Sequence, residues 1–473
     1  MKEKKKFQAP STPVLMLILI IILSILTYIV PAGSFDRIED PETGIVNIDV
    51  ESFHFVDRDA SNPDGPQSEG PFQMFVDIYD GLVNAADLIF LIFIGCWVAI
   101  ILTETGAFTG FINAARRALK TKTALLIPGF IAVYALDGFQ GEMEGLYPLI
   151  GVFIGMCIAL GYDAIVGILI SAVAAVIGFN VGGISFYNTG IAQTVSGLPL
   201  FSGLGFRLIV LAITVVIWIA YTLVYCRKIK KDPSKSVVYD LDFSDIASDM
   251  SDEGAPFTWQ NKISLILFVA MILWVVYACQ KLGWYFSEIS GLYIVLAIVL
   301  CIINKINMDQ AIGYLVDSFH GMASGCLVIG MARGLNIVLT SSGMSDTIVY
   351  YLYLLVRNLP SWATASGFYF LHLLLGFIMP SASGMASTTM PIIAPVADLA
   401  GVTRQTACLA YSLGHGYAQL LWPTNSIAII CGLSKIPLGR WYKFFMPLFV
   451  ILSVAICLIL TFATITQWGI ELQ

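Results

Sequence analysis

Glu142 and Glu144 stand two residues apart in DGFQGEMEGLYP, residues 137–148, with Asp137 upstream and glycines and a proline around them. Carboxylates so placed can take an ammonium group, carry a coupling proton, or pair with a cation such as Arg333. Two other clusters offer oxygen without charge: YNT at Tyr187–Thr189 and TNS at Thr424–Ser426. Amide and hydroxyl oxygens suit a small hard cation or a carboxylate headgroup. HExxH, nucleophile-elbow and P-loop patterns are absent from the sequence, so neither a protease nor an ATP-driven pump has support.

These polar residues interrupt a chain with few of them. It is 58% hydrophobic and 12% charged over 473 residues, with a mean hydropathy of +0.82. Apolar runs of about 17–25 residues match a bilayer core of roughly 30 Å, and the chain has many. It reads as an all-α polytopic membrane protein. The first run, Val14–Val30, follows a lysine-rich start like that of a signal peptide. VPAGSF is a poor cleavage site, so a retained helix is expected. The nine cysteines lie in or beside apolar runs and form no CxxC pair. They read as small core residues. A net charge of −7 offers no basic surface for nucleic acid.

Basic residues favour cytoplasmic loops. Clusters at Lys2–Lys6, Arg116–Lys122, Arg227–Lys231, Lys305 and Lys435–Lys443 are therefore placed inside. Segment 32–70, with ten acids against Arg37 and Arg58, is placed outside. The expected setting is the inner membrane of a prokaryote, N-terminus cytoplasmic and C-terminus external. Thr123–Leu160 must begin and end inside, so it enters and turns back, after a basic amphipathic segment Gly110–Lys122 on the inner face. The expected partition has a transmembrane helix to residue 31 and an external segment 32–70. A first repeat, 71–226, holds a re-entrant hairpin 123–160 and a broken helix 163–198. A cytoplasmic loop 227–262 and a linking helix pair 263–304 follow. A second repeat, 305–465, holds hairpin 361–400 and broken helix 402–432.

The second half replays the first at a spacing near 240 residues. DGFQGEMEGLYPLI compares with MPSASGMASTTMPII, ISFYNTGIA with LLWPTNSIA, and SGLPLFSGLGFRLIV with CGLSKIPLGRWYKFF. By the charge map the first copy starts outside and the second inside. Inverted repeats with broken helices place substrate and coupling ions near the midplane. Four breaks are expected: tips at Gln140–Gly145 and Ser381–Ser387, and unwound helices at Asn180–Thr189 and Trp422–Ser426. Half-helix N-termini suit a carboxylate. Carbonyl ends with Asn, Ser and Thr oxygens suit a cation. Substrate contacts are assigned to Glu142, Glu144, Asn188, Thr189, Ser383, Gly384, His415, Thr424, Asn425 and Ser426. Sodium contacts are assigned to Asn180, Asn188, Thr189, Ser381 and Asn425. The same residues could simply cap the broken helices. His415 could line the cavity or hydrogen-bond in the core; His372 reads as structural and Asp163 as a helix cap.

VPAGSFDR, the acidic tip before YPL, SGLPLFSGLGFRL, PSASGMASTTMPIIAPVADLAGVTRQ and GHGYAQLLWPTNS span nearly the whole chain. On these motifs it resembles the YfcC-type carriers of the ion transporter superfamily, relatives of anaerobic four-carbon dicarboxylate carriers and bacterial arginine/ornithine exchangers. The resemblance implies a scaffold domain and a moving transport domain that work as an elevator, commonly in a homodimer. It also implies sodium and carboxylate motifs at Asn188, Thr189, Thr424, Asn425 and Ser426. Two departures stand out. Where relatives carry an adjacent Glu-Glu pair, this chain has Gly141 and Glu142, with Glu144 extra. Where relatives often show Gly-Asp-Gly, it has Gly414-His415-Gly416, which removes a fixed negative charge.

The expected function is ion-coupled transport or exchange of a small carboxylate-bearing metabolite, first of all an amino acid, with a dicarboxylate as the alternative. Na⁺ or H⁺ is the expected coupling ion. A channel and a membrane enzyme are the readings from other classes.

Overall fold

The computed structural model describes residues 12–39, 46–58, 65–108, 110, 114, 125–141, 143–243, 257–282, 284, 286–356 and 359–469. Glu142 and nearly all of Gly110–Lys122 lie outside them. The chain begins with α1 (Thr12–Leu26), then strands β1 (Ala32–Glu39) and β2 (Val46–Val56), then α2 (Gln73–Asn84) and α3 (Ala86–Glu104). The first hairpin is α4 (Leu126–Phe139), a 3₁₀ turn Glu144–Leu149, and α5 (Ile150–Ala159). A broken helix follows: α6 (Ala164–Leu169), α7 (Ala172–Val181), a π turn Phe186–Gly190 and α8 (Ile191–Val195). Long α9 (Leu204–Lys231), α10 (Trp259–Lys281) and α11 (Phe286–Asn304) lead to the second half. There α12 (Met308–Ser341) and α13 (Met344–Val356) precede a second hairpin, α14 (Ser361–Leu375) and α15 (Ala382–Leu399). A second broken helix, α16 (Arg404–Leu421) and α17 (Ser426–Leu433), is followed by long α18 (Leu438–Ile465).

Among the described residues, six helical stretches are long and apolar enough to cross a membrane. The chain is thus a multi-pass membrane protein. Arms α4 and α14 have 14 and 15 residues, or about 21–23 Å at 1.5 Å per residue, short of a full crossing. The long helices α9 and α18 are only 39% buried over their most apolar windows, whereas the stretch Ala164–Val181 is 100% buried. Lipid-facing helices thus wrap a core made from the broken ones. In α16 even Gln405, Thr406, Ser412, His415 and Gln419 are buried.

Glycine lets backbone approach backbone in that core. A Cβ on Gly178 would stand 1.8 Å from Ala135 O, and one on Gly138 1.8 Å from Ala175 O. The second half repeats the arrangement. A Cβ on Gly376 would meet Ala418 Cβ at 2.2 Å, and one on Gly414 would meet Tyr369 O at 2.4 Å. Each hairpin's first arm therefore packs on the broken helix that follows it.

Three expectations need correction. The chain is not all-α: segment 32–70 contains an antiparallel hairpin, with Ala32 opposite Val56 and Glu39 opposite Val46. Its density of acids masks the alternation of VNIDVESFHFV, which is a strand pattern. Phe53 stacks on Tyr350 of α13, ring centroids 3.9 Å apart, and fixes the hairpin to the helices. The second tip is displaced as well. Residues 382–387 are already helical, because Ser381 Oγ accepts from Gly384 N (3.2 Å) and caps α15. The turn occupies 376–380. The loop expected from residue 227 begins later: α9 runs Leu204–Lys231, since Lys and Arg stems continue a helix beyond its apolar part.

At one end of α1 and α12 lies a buried carboxyl pair. Glu69 N donates to Thr27 Oγ1 (3.0 Å) and Ser341 Oγ donates to Glu69 Oε1 (3.1 Å). Burial, and then the neighbouring Asp77, push the Glu69 carboxyl up to about 7.

Candidate substrate and ion site at the helix breaks

The first break is a loss of helical pairing at Gly182–Ser185. Gly182 takes φ +52, left-handed backbone that glycine tolerates. The carbonyls this frees are taken by side chains. Asn188 Nδ2 donates to Phe179 O (3.0 Å), and Thr189 Oγ1 donates to Gly182 O. The first hairpin closes on the same place: Gly183 N and Ile184 N both donate to Phe139 O, at 3.1 and 3.2 Å. The amide of Asn180, with its nitrogen turned to its acceptors, donates to Gly416 O (2.8 Å) and Val176 O. That contact joins the two broken helices, and Gly416 has no room for a Cβ because Asn180 Cα would stand 2.3 Å from it.

The second break repeats the logic with other residues. Asn425 Nδ2 donates to Ala418 O (3.2 Å) and to Gly376 O (2.7 Å) in the second hairpin turn. Ser426 Oγ and N donate to Gln419 Oε1, at 2.7 and 3.2 Å. Gln419 Nε2 donates to Pro380 O (3.0 Å), and His415 Nε2 lies 3.1 Å from the same carbonyl. The halves meet where Ser426 Oγ lies 3.7 Å from the sulfur of Met143, in the first hairpin turn.

Several buried acceptors in this region are without a partner among the described residues: Asn188 Oδ1, Asn425 Oδ1, Thr424 Oγ1 and Ser185 Oγ. An unpartnered buried acceptor is costly, so these atoms are candidates for a ligand. Among the described residues, Arg207 Nε and Nη2 are buried donors here without an acceptor. The described residues contain no group of three or more His, Cys, Asp or Glu that could hold a metal.

The sequence profile of the DcuC family, described as the C4-dicarboxylate anaerobic carrier, matches residues 9–465. The chain belongs to this family. An uncharacterized protein of Haemophilus influenzae is 26% identical over 94% of this chain and 95% of its own length. The putative basic amino acid antiporter YfcC of Escherichia coli K12 is 26% identical over 93% of this chain and 94% of its own. Among solved structures, the YdaH transporter of Alcanivorax borkumensis aligns over 97% of this chain and 99% of its own, at 15% identity and a TM-score of 0.39. MtrF of Neisseria gonorrhoeae, described among antimetabolite efflux pumps, aligns over 96% and 95%, again at 15% identity and TM-score 0.39. The family is one of transporters, not enzymes.

The fold of this DcuC-family chain gathers Asn180, Asn188 and Thr189 at one break and His415, Thr424, Asn425 and Ser426 at the other. Ser381, Ser383 and Gly384 sit in the cap and first turn of α15, part of the same second hairpin. Glu144 opens the 3₁₀ turn. Arg333 sits on α12 between Gly330 and Gly334, whose faces meet Leu82 and Asp77 of α2. His372 is held by Phe368 O (2.7 Å) and Thr389 Oγ1 (3.1 Å), as a structural histidine would be. Asp163 caps α6 through Val166 N (3.0 Å). Residue reading missed Arg207, Ser412 and Gln419. Arg207 lies in the first turn of α9, where a cation looks interfacial. Its signal was a charge where the matching segment CGLSKIPLGRWYKFF has Tyr442.

Proposed function

We propose that this chain is a secondary active transporter that carries a small carboxylate-bearing metabolite, first an amino acid, by an elevator movement. The contact between Met143 and Ser426 supports this best. It joins the irregular backbone of one half to that of the other. Irregular backbone at membrane depth is tolerated where protein covers it or a cavity lies beside it, and carriers bind solutes there. In this reading the first turn of α15, Ser383 and Gly384, and Ser426 at the start of α17 take the carboxylate. Asn188, Thr189, Thr424 and Asn425 complete the oxygen set. Glu142 or Glu144 takes the ammonium. The hairpins and broken helices, α4–α8 and α14–α17, would move against a scaffold of the remaining helices, in an inner-membrane homodimer with its β-hairpin outside. Na⁺ or H⁺ drives the cycle only through different affinity in the two end states.

A second reading, dicarboxylate exchange, is favoured by the family's description and by His415 in place of an acid. It requires loss of binding when Arg333 or His415 is neutralised, and tolerance of Glu142→Gln. Proteoliposomes separate the two. Uptake of amino acids and dicarboxylates is measured under imposed Na⁺ or H⁺ gradients, for wild type and Glu142→Gln. Uptake of succinate but of no amino acid would sink the first reading. Uptake indifferent to every gradient and to internal solute would sink coupled transport.

A further inference from the structure

The Arg207 guanidinium is fully buried on α9. Its Nη1 lies against four oxygens: Val181 O at 2.7 Å, and Gly182 O, Thr189 Oγ1 and Ser412 Oγ each at 3.3 Å. The two hydroxyl protons point elsewhere, Thr189 to Gly182 O and Ser412 to Cys408 O (2.9 Å). Both hydroxyl oxygens therefore turn lone pairs toward Nη1. An NH₂ with two hydrogens faces four acceptors, a set matched to a point charge more than to a count of hydrogen bonds. Two of the oxygens are carbonyls at the C-terminal end of α7, where the helix dipole is negative. Arginine stays protonated in any such setting.

The corresponding place in the other half is built differently. Counted from the first residues of their helices, Leu204 of α9 and Leu438 of α18, Arg207 corresponds to Trp441, whose Nε1 donates to Leu420 O (2.9 Å) at the end of α16. Tyr442 OH donates to Leu421 O (2.8 Å). Both donors are neutral. Around that break Asn425 Oδ1 and Thr424 Oγ1 stay open as acceptors. Both breaks keep open oxygens, Asn188 Oδ1 and Ser185 Oγ at the first, but among the described residues only the first carries a tethered cation among its oxygens.

We infer that Arg207 is a built-in cation for the first break: its guanidinium takes the position that a free monovalent ion would take among Val181, Gly182, Thr189 and Ser412. A free coupling ion is then confined to the second break, and the chain binds one fewer metal ion than the symmetry of its breaks suggests. This rests on reading the breaks as ion sites. It revises the assignment of Asn188 and Thr189 to sodium.

Thermal unfolding of the purified full chain in detergent tests the inference without any substrate. Wild type, Arg207→Ala and Arg207→Lys are compared in N-methylglucamine, Na⁺, K⁺ and guanidinium chloride at low, non-denaturing concentration. The alanine variant should unfold at a lower temperature and recover at least half of the loss, saturably, with guanidinium or Na⁺. The lysine variant, which keeps a tethered cation, should need neither. Wild type should gain nothing from guanidinium. Recovery absent for every cation in a monodisperse Arg207→Ala preparation overturns the inference. Should that variant fail to fold, a Ser412→Ala chain decides. A wild-type rise with Na⁺ that disappears on Ser412→Ala overturns the inference; a rise that persists, or no rise at all, supports it. Failure of every tested solute to be transported would overturn the transport reading and leave this result intact.

Discussion

The two helix breaks are built on one plan and finished with opposite chemistry. In each, an asparagine returns its amide to a carbonyl of the incoming half-helix, Asn188 to Phe179 and Asn425 to Ala418. In each, a glycine pair locks the preceding hairpin arm against that half-helix. The first break then receives a guanidinium, while the second receives indole, phenol and glutamine groups. Repetition fixed the backbone, because both halves face the same problem of free carbonyls away from water. Charge differs: among the described residues a guanidinium fills the first break alone.

The largest expected effect tests the shared plan. Gly178→Ala drives a methyl into backbone, 1.8 Å from Ala135 O, and should cost about 3 kcal/mol or more. No monodisperse protein is expected on size exclusion. Gly376→Ala meets a methyl instead, Ala418 Cβ at 2.2 Å, so Gly376→Ala with Ala418→Gly should recover folded protein where Gly376→Ala alone loses it. Equal damage with and without the second change would show that the two glycine contacts are not alike in kind.

Next comes the difference in charge. Trp441→Phe leaves Leu420 O without its donor and should lower stability by about 1–3 kcal/mol, with no response to added cations in a thermal unfolding assay. Arg207→Ala should lower it further and respond to cations. Similar losses, both indifferent to cations, would erase the contrast between the breaks.

A smaller effect is expected at the paired asparagines. Asn188→Ala and Asn425→Ala each remove one amide donor, worth about 1 kcal/mol net. If sodium couples transport, only Asn425→Ala should raise the Na⁺ concentration for half-maximal uptake, by about tenfold, the equivalent of about 1.4 kcal/mol. A matching rise for Asn188→Ala would return the first break to ion binding.

The smallest effect separates both breaks from the carboxyl pair Glu69–Asp77. Glu69 is held up to about 7 by burial and by Asp77. A carboxyl raised in the folded state favours folding most below its unfolded value near 4.5 and loses that contribution as pH climbs through about 7. The thermal midpoint of wild type should therefore fall over that interval. Glu69→Gln should flatten the fall, and any pH dependence of uptake that comes from the first hairpin turn should remain. Loss of both together would place proton coupling at the Glu69–Asp77 pair.

Much of this was legible in residue order. The hydropathy runs, the first hairpin turn and the unwound segments followed from glycine, proline and asparagine inside apolar runs. The second tip was misplaced because PSASG reads both as a breaker and as a cap, and the hydroxyl of Ser381 decided for the cap. The β-hairpin escaped because its acids drew attention to charge instead of alternation. For the site, the amide and hydroxyl clusters were visible in the sequence. The residue that divides the two breaks, Arg207, was not.

Sequence by itself determined the number of breaks and roughly where they fall, since helix propensity, capping and hydropathy act over a turn or two. It also determined membership in the DcuC family and the transport character that goes with it. Tertiary structure decided what each break holds. Arg207 finds Val181, 26 residues away, and Ser412, 205 residues away. A cation is matched to oxygens by distance in space, and that distance exists only once both halves have packed together.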